Sequence, residues 1–146
     1  MTIKAVVDTN IWVSSLINPV GFPARLRNLF ATGAFQCVVS TPMLEELADV
    51  LGRPKIRDKY GISALDIEEL LILLEERSED VLLSGNVSVC RDVDDNGVIE
   101  TAINGKAQYI ITRDDDIKFD LNVISFLSRH NIAVVSLSTF LNILYI

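Results

Sequence analysis

Short, continuously apolar runs rich in β-branched residues recur along this chain, and segments of helical periodicity separate them. Ile3–Val7, Phe35–Val39, Tyr109–Thr112 and Ala133–Ser136 have this character, and Val81–Leu83 is a shorter fifth candidate. A strand that is apolar on both faces must be covered on both, which helices achieve around a parallel sheet. The alternation therefore predicts an α/β fold of three layers, α/β/α, around a central, mostly parallel sheet of four to five strands. The 146 residues are enough for one domain, 1–146, with a substantial core.

Helix signals fill the gaps. Pro23–Thr32 repeats apolar residues at Leu26, Leu29 and Phe30, and Gly33 can stop it in the left-handed conformation. Thr41 as N-cap with Pro42 in the first turn opens a helix running to about Leu51. Leu65–Arg77 is the longest pattern, opened by Ser63 with Asp66 three residues on. Asp95 or Asn96 opens a helix that Gly105 closes, and Ser138 caps a last short one. The stretch Arg53–Lys59 reads as a loop.

Four acids sit where strands end or helices begin. Asp8 follows the first strand directly and Asp114 follows the strand at Tyr109. Glu46 lies just inside the helix after the second strand, and Asp95 starts a helix. In open α/β sheets the functional crevice lies at the carboxyl ends of the strands, so all four can face one edge. Each alone has an ordinary alternative: Asp8 or Asp95 as a helix cap, Glu46 as a solvated helix acid like Glu45, and Asp114–Asp116 as a polar loop. Together they form a site whose mutual repulsion a divalent cation would relieve. Mg²⁺ and Mn²⁺ prefer oxygen ligands, orient phosphodiesters and acidify water.

Other chemistries find little support. His130 is the single histidine, and no nucleophile elbow, Walker A sequence or GxGxxG occurs. DVDDNG opens like a calcium loop, but Ile103 stands where the bidentate Glu is required. Asn10 stands where a haloacid-dehalogenase-type phosphatase needs its second Asp, and the acidic pair of a response-regulator receiver is missing. Cys37 and Cys90 read as separate buried thiols, too few for a zinc site. No apolar run reaches the roughly 18–20 residues of a membrane span. The N-terminus has no signal-peptide pattern, which predicts a cytoplasmic protein.

A net charge of −7 argues against a phosphate-binding footprint, although part of it lies in the acidic cluster, where bound cations would invert the field. Arg53, Lys55, Arg57 and Lys59 place four positive charges within seven residues, and Arg113 adjoins Asp114. These residues form either a phosphate-tracking rim or a solvated surface. Trp12 and Tyr60 could stack bases, with Trp12 the better candidate for the core or a dimer interface.

The segments VVDTNIWVSSLI, TPMLEELADVLGRPK and CRDVDDNGVIETAINGKAQYIITRDDDI, in this order, resemble the four motifs of the PIN domain family. The resemblance runs roughly from Ile3 to Leu144 and is strongest to the bacterial branch of putative toxins of toxin–antitoxin pairs, relatives of the VapC toxins. It implies a Mg²⁺- or Mn²⁺-dependent ribonuclease. Residue by residue it places Asp8, Glu46, Asp95 and Asp114 in the catalytic quartet, with Asp8, Asp95, Asp114 and Asp116 on the metal. It places Thr9, Asn10 and Thr112 among the supporting residues, and Glu100 on an acid frequent in this branch. Asn96 is either a further supporting residue or, in a shifted register, the occupant of the third acidic position. Gly97 departs from the Lys common there. The resemblance also implies an RNA substrate, a homodimer and a cognate antitoxin protein. The alternative is a PIN-fold module that binds nucleic acid or protein without cutting.

Overall fold

The computed structural model describes residues 2–145, and at residues 115 and 116 the backbone alone. Five strands form one sheet: β1 (Lys4–Val7), β2 (Gln36–Val39), β3 (Glu79–Asp80), β4 (Tyr109–Ile111) and β5 (Ala133–Val135). Their order is β3-β2-β1-β4-β5, and every neighbouring pair is parallel. Around them lie α1 (Thr9–Ile17), α2 (Phe22–Ala31), α3 (Thr41–Gly52), α4 (Pro54–Tyr60), α5 (Ala64–Arg77), α6 (Asn96–Asn104), α7 (Asp115–Lys118), α8 (Leu121–Ser128) and α9 (Leu137–Leu144).

The strand residues alternate between two cores. Ala5, Val7, Cys37, Val39 and Ile111 pack with Trp12, Leu26, Phe30, Leu47, Leu70, Leu74 and Phe140 on one face. Val6, Val38 and Ile110 pack with Ile99, Ala102, Ile117, Val123 and Leu127 on the other. Successive strand side chains point to opposite faces, so a run apolar at every position fills both layers. This is the expected three-layer α/β/α arrangement.

Local chemistry sets the element ends. Gly33, at φ 84°, closes α2: its N–H donates to Phe30, and that of Ala34 donates to Leu29. This is the left-handed stop that only glycine adopts freely. Ser63 caps α5 through the Asp66 N–H at 3.0 Å. At Gly105 the end of α6 lies so close to β2 that an added Cβ would stand 2.2 Å from Val38 Cγ1.

The structure corrects several sequence-based expectations. The edge strand β3 lies at Glu79–Asp80, ahead of the apolar Val81–Leu83, because Val39 of β2 supplies the partners for pairing. Ser40, not Thr41, precedes α3, and its buried hydroxyl accepts a bond from Thr101 Oγ1 at 2.9 Å rather than capping the helix. Ser136, not Ser138, caps α9 by accepting the Thr139 N–H. Residues 54–60, read as a loop, form α4, with a proline in its first turn and Gly61 in the left-handed conformation at its end. Trp12 is buried against Phe30 at 5.6 Å between ring centroids, which removes it as a base-stacking surface. Cys37 is buried as expected, Cys90 is half-buried, and both are free thiols.

Candidate active site

Strand order reverses at β1 and β4. One chain direction runs from β1 to β2 and β3, and the other from β4 to β5. Such a switch opens a crevice at the carboxyl edge. Asp8 follows β1 and donates its N–H to the Ile111 carbonyl of β4 at 3.0 Å, so the two strand ends lie side by side. The Thr112 hydroxyl donates to Asp8 Oδ2 at 2.8 Å and accepts the Asp114 N–H at 2.9 Å. A single buried threonine thus aims two acids from segments far apart in sequence.

Asp95 ends a 3₁₀ turn, Val93–Asp95, that leads directly into α6. Partial burial, a hydrogen bond shared with Asp114, and the charges of Asp114, Asp92 and Asp8 push its carboxyl up to about 7. Among the described residues its Oδ2 is one of only two buried side-chain oxygen or nitrogen atoms without a hydrogen-bond partner. Glu46 projects from the first half of α3 beside Asp8 and Thr9. Desolvation and the charges of Asp8 and Asp94 raise its pKa, against a bond from Thr9 and the attraction of Arg53. The Thr9 side chain is buried, and its hydroxyl lies 3.5 Å from Asp8 Oδ1. All four acids therefore meet at one edge, each perturbed by or bonded to another.

The remaining positions separate by role. Asn96 is engaged by the backbone: its Oδ1 accepts the N–H groups of Val89 and Cys90 at 3.0 and 2.9 Å. Its amide holds the segment leading to the 3₁₀ turn, and Asp95 is the neighbour that faces Asp114. Glu100 is buried, and its carboxylate accepts N–H groups from Ser84 and Gly85 and the Asn104 amide. Burial raises its pKa, but these bonds outweigh burial and hold it below the usual range. Glu100 anchors the 84–85 turn, away from the crevice. Asn10 is exposed on the first turn of α1. The Asp116 side chain lies outside the described residues.

The basic residues flank the acids unequally. Arg53 pairs with Asp49 at 2.7 Å and is close enough to Glu46 to oppose its raised pKa. Arg57 lies 3.8 Å from Asp58, Lys59 stands over the Tyr60 ring, and α4 buries no side chain. Arg113 is exposed beside Ser14.

Sequence reasoning missed three neighbours. Asp94 acts on Glu46. Burial and the charges of Asp95, Asp120, Asp114 and Asp92 raise the Cys90 thiol to about 12, so Cys90 and Asp120 border the same edge. Asp94 was visible in the RDVDDNG motif. Asp120 reads only as the cap of α8, accepting the N–H groups of Asn122 and Val123.

Among the described residues no three acid, cysteine or histidine side chains close tightly enough to hold a metal by themselves. The donor set still fits Mg²⁺ or Mn²⁺: all oxygens, an orphaned carboxylate atom on Asp95, and a pKa raised by burial and then by the neighbouring acids. Mg²⁺ is ordinarily held by one or two carboxylates, with water and phosphate completing its shell. Asp8, Asp95 and Asp114 are the residues that would hold it.

Known proteins resemble this chain in sequence. An uncharacterized protein of Methanocaldococcus jannaschii is 36% identical over 115 residues, covering 79% of this chain and 73% of the relative. Residues 4–116 match the model of the PIN domain. That match takes in β1, α3, α6 and β4 with the acids they carry, and the chain belongs to the PIN domain family, whose members are in general nucleases.

Proposed function

We propose that this protein is a Mg²⁺- or Mn²⁺-dependent endoribonuclease that hydrolyses RNA phosphodiester bonds. The observation that carries the proposal is the meeting of Asp8, Glu46, Asp95 and Asp114 at the β1–β4 switch, with Asp95 pushed toward protonation by burial and by its acidic neighbours. A divalent cation bound there supplies positive charge for the phosphate and acidifies water. The chain's own residues do the rest. Thr112 holds Asp8 and the Asp114 backbone in register. Thr9 links Asp8 to Glu46. Glu46 stands apart from the hydrogen-bonded Asp95–Asp114 pair, and its raised pKa suits its carboxylate to accept a proton from attacking water.

Arg53 before α4, Lys55, Arg57 and Lys59 on it, and Arg113 beside Ser14 provide the phosphate contacts that offset repulsion between RNA and an acidic chain. On the motif resemblance we also assign the chain the role of toxin in a toxin–antitoxin pair, acting as a homodimer. The test is cleavage of labelled RNA in Mn²⁺. Wild type should cut, and EDTA should stop it. Asp8→Asn should lose both cleavage and growth arrest on expression. Glu46→Gln should lower kcat by about 10²- to 10⁴-fold. Undiminished cleavage by Asp8→Asn overturns the assignment. RNA binding without cleavage in any metal favours a non-catalytic module, a reading that the loose spacing of the acids keeps in view.

A further inference from the structure

Phe119 is 66% exposed on a backbone that is otherwise pinned. Before it, the Lys118 N–H donates to the Asp114 carbonyl at 2.8 Å, which places Phe119 one helical turn beyond an acid of the crevice. After it, Asp120 caps α8 and is among the acids that surround Cys90 together with Asp95 and Asp114. Ile117, two residues earlier, is fully buried. Phe119 therefore lies on the short segment that joins Asp114 to Asp120, exposed and unused by either core. The Lys118 ammonium lies 5.2 Å from its centroid. An exposed aromatic beside a cation is the pairing with which proteins hold unpaired nucleotides, the ring stacking on the base and the cation meeting the phosphate.

We propose that Phe119, with Lys118, is a stacking platform for an unpaired base of the nucleic-acid substrate and positions the adjoining phosphodiester over the four acids. The proposal rests on the nuclease reading above and makes it specific to single-stranded substrate. Phe119 follows β4 and α7, whereas Arg53 lies between α3 and α4 after β2, and on this proposal the strand runs between them. A base inside a duplex presents no free face, so duplex substrate gains nothing from the ring.

The experiment separates binding from cleavage. In the Asp8→Asn background, fluorescence anisotropy with a labelled unpaired oligoribonucleotide should show Kd raised about tenfold by Phe119→Ala and restored by Phe119→Trp. The same oligonucleotide annealed to its complement should show no such dependence. In the otherwise wild-type enzyme, Phe119→Ala should raise KM by a similar factor with a much smaller change in kcat. The Phe119→Trp indole should be quenched as the oligonucleotide binds, a signal that the buried Trp12 does not give. Equal loss on single-stranded and duplex RNA, or binding of Phe119→Trp without quenching, overturns the platform. So does a change of oligomeric state in Phe119→Ala with Kd unmoved, which would make the ring a subunit contact. If wild type binds but never cleaves, the nuclease reading fails, while the anisotropy series still decides the platform.

Discussion

Asp95 and Asn96 differ by one atom group and sit next to each other, yet the structure gives them opposite relations to stability. Asp95 carries a buried, unpartnered oxygen among like charges, so its ionised form works against folding. Asp95→Asn should raise the stability of the metal-free protein near neutral pH while abolishing metal-dependent cleavage. Asn96→Ala instead leaves the N–H groups of Val89 and Cys90 without their acceptor, at a cost of about 1–3 kcal/mol. Urea unfolding of the two variants checks both signs. Neutral or destabilising behaviour of Asp95→Asn would mean that the repulsion is already relieved without a cation. The motif resemblance chose Asp95, but local spacing alone does not separate these neighbours. Successive helical residues point about 100° apart, and only the docking of α6 decides which of them meets Asp114.

At the scale of elements, two helices make contrasting predictions. The end of α6 approaches β2 so closely that Gly105→Ala must push Val38 or the helix aside. We expect a loss of about 1–3 kcal/mol in chemical denaturation, since overpacking of a filled core costs this much. Helix α4 packs only Ile56, partly buried, against the core, and its basic side chains are exposed. Replacing Arg53, Lys55, Arg57 and Lys59 together by Gln should leave stability within about 0.5 kcal/mol per site. The same replacement should weaken RNA binding and flatten its dependence on salt. An unchanged salt slope would detach α4 from the substrate path.

These elements also mark what was legible in the sequence. Strands β1, β2, β4 and β5 carry their own apolar signal, and Asp8 and Asp114 could be placed because each directly follows a strand. β3 has no such signal: Glu79–Asp80 is a strand only because β2 offers an edge to pair with. Helix α4 has no buried stripe, so hydrophobic periodicity missed it, although its proline and terminal glycine mark both ends. The part of Asp120 in the acidic edge depends on how α8 packs, which local spacing does not encode.

For the whole molecule, the acidic edge links folding to pH and, on the proposed function, to metal. Asp95 has an ordinary pKa of 3.8 and a folded value of about 7, so between these values the folded chain binds more protons than the unfolded one. Its contribution is full below the lower value and is lost as pH rises through the upper one. Glu46 shifts in the same direction. The Tm of metal-free protein should therefore fall as pH is raised from about 4 to about 8. Millimolar Mg²⁺ should restore it at the alkaline end by binding the folded state alone. Thermal melts across that range check this, and a Tm that rises with pH in metal-free buffer would contradict it.

The Thr112–Asp8 bond joins residues 104 positions apart. A chain emerging during synthesis carries Asp8 and Glu46 early, but the strand that orients Asp8 arrives only after most of the protein has been made. Closing so long a loop is among the slower steps in assembling a parallel sheet. Half-made chains therefore hold Asp8 and Glu46 without the site. On the proposed function, a ribonuclease made beside its own messenger stays inactive until the last central strand is in place.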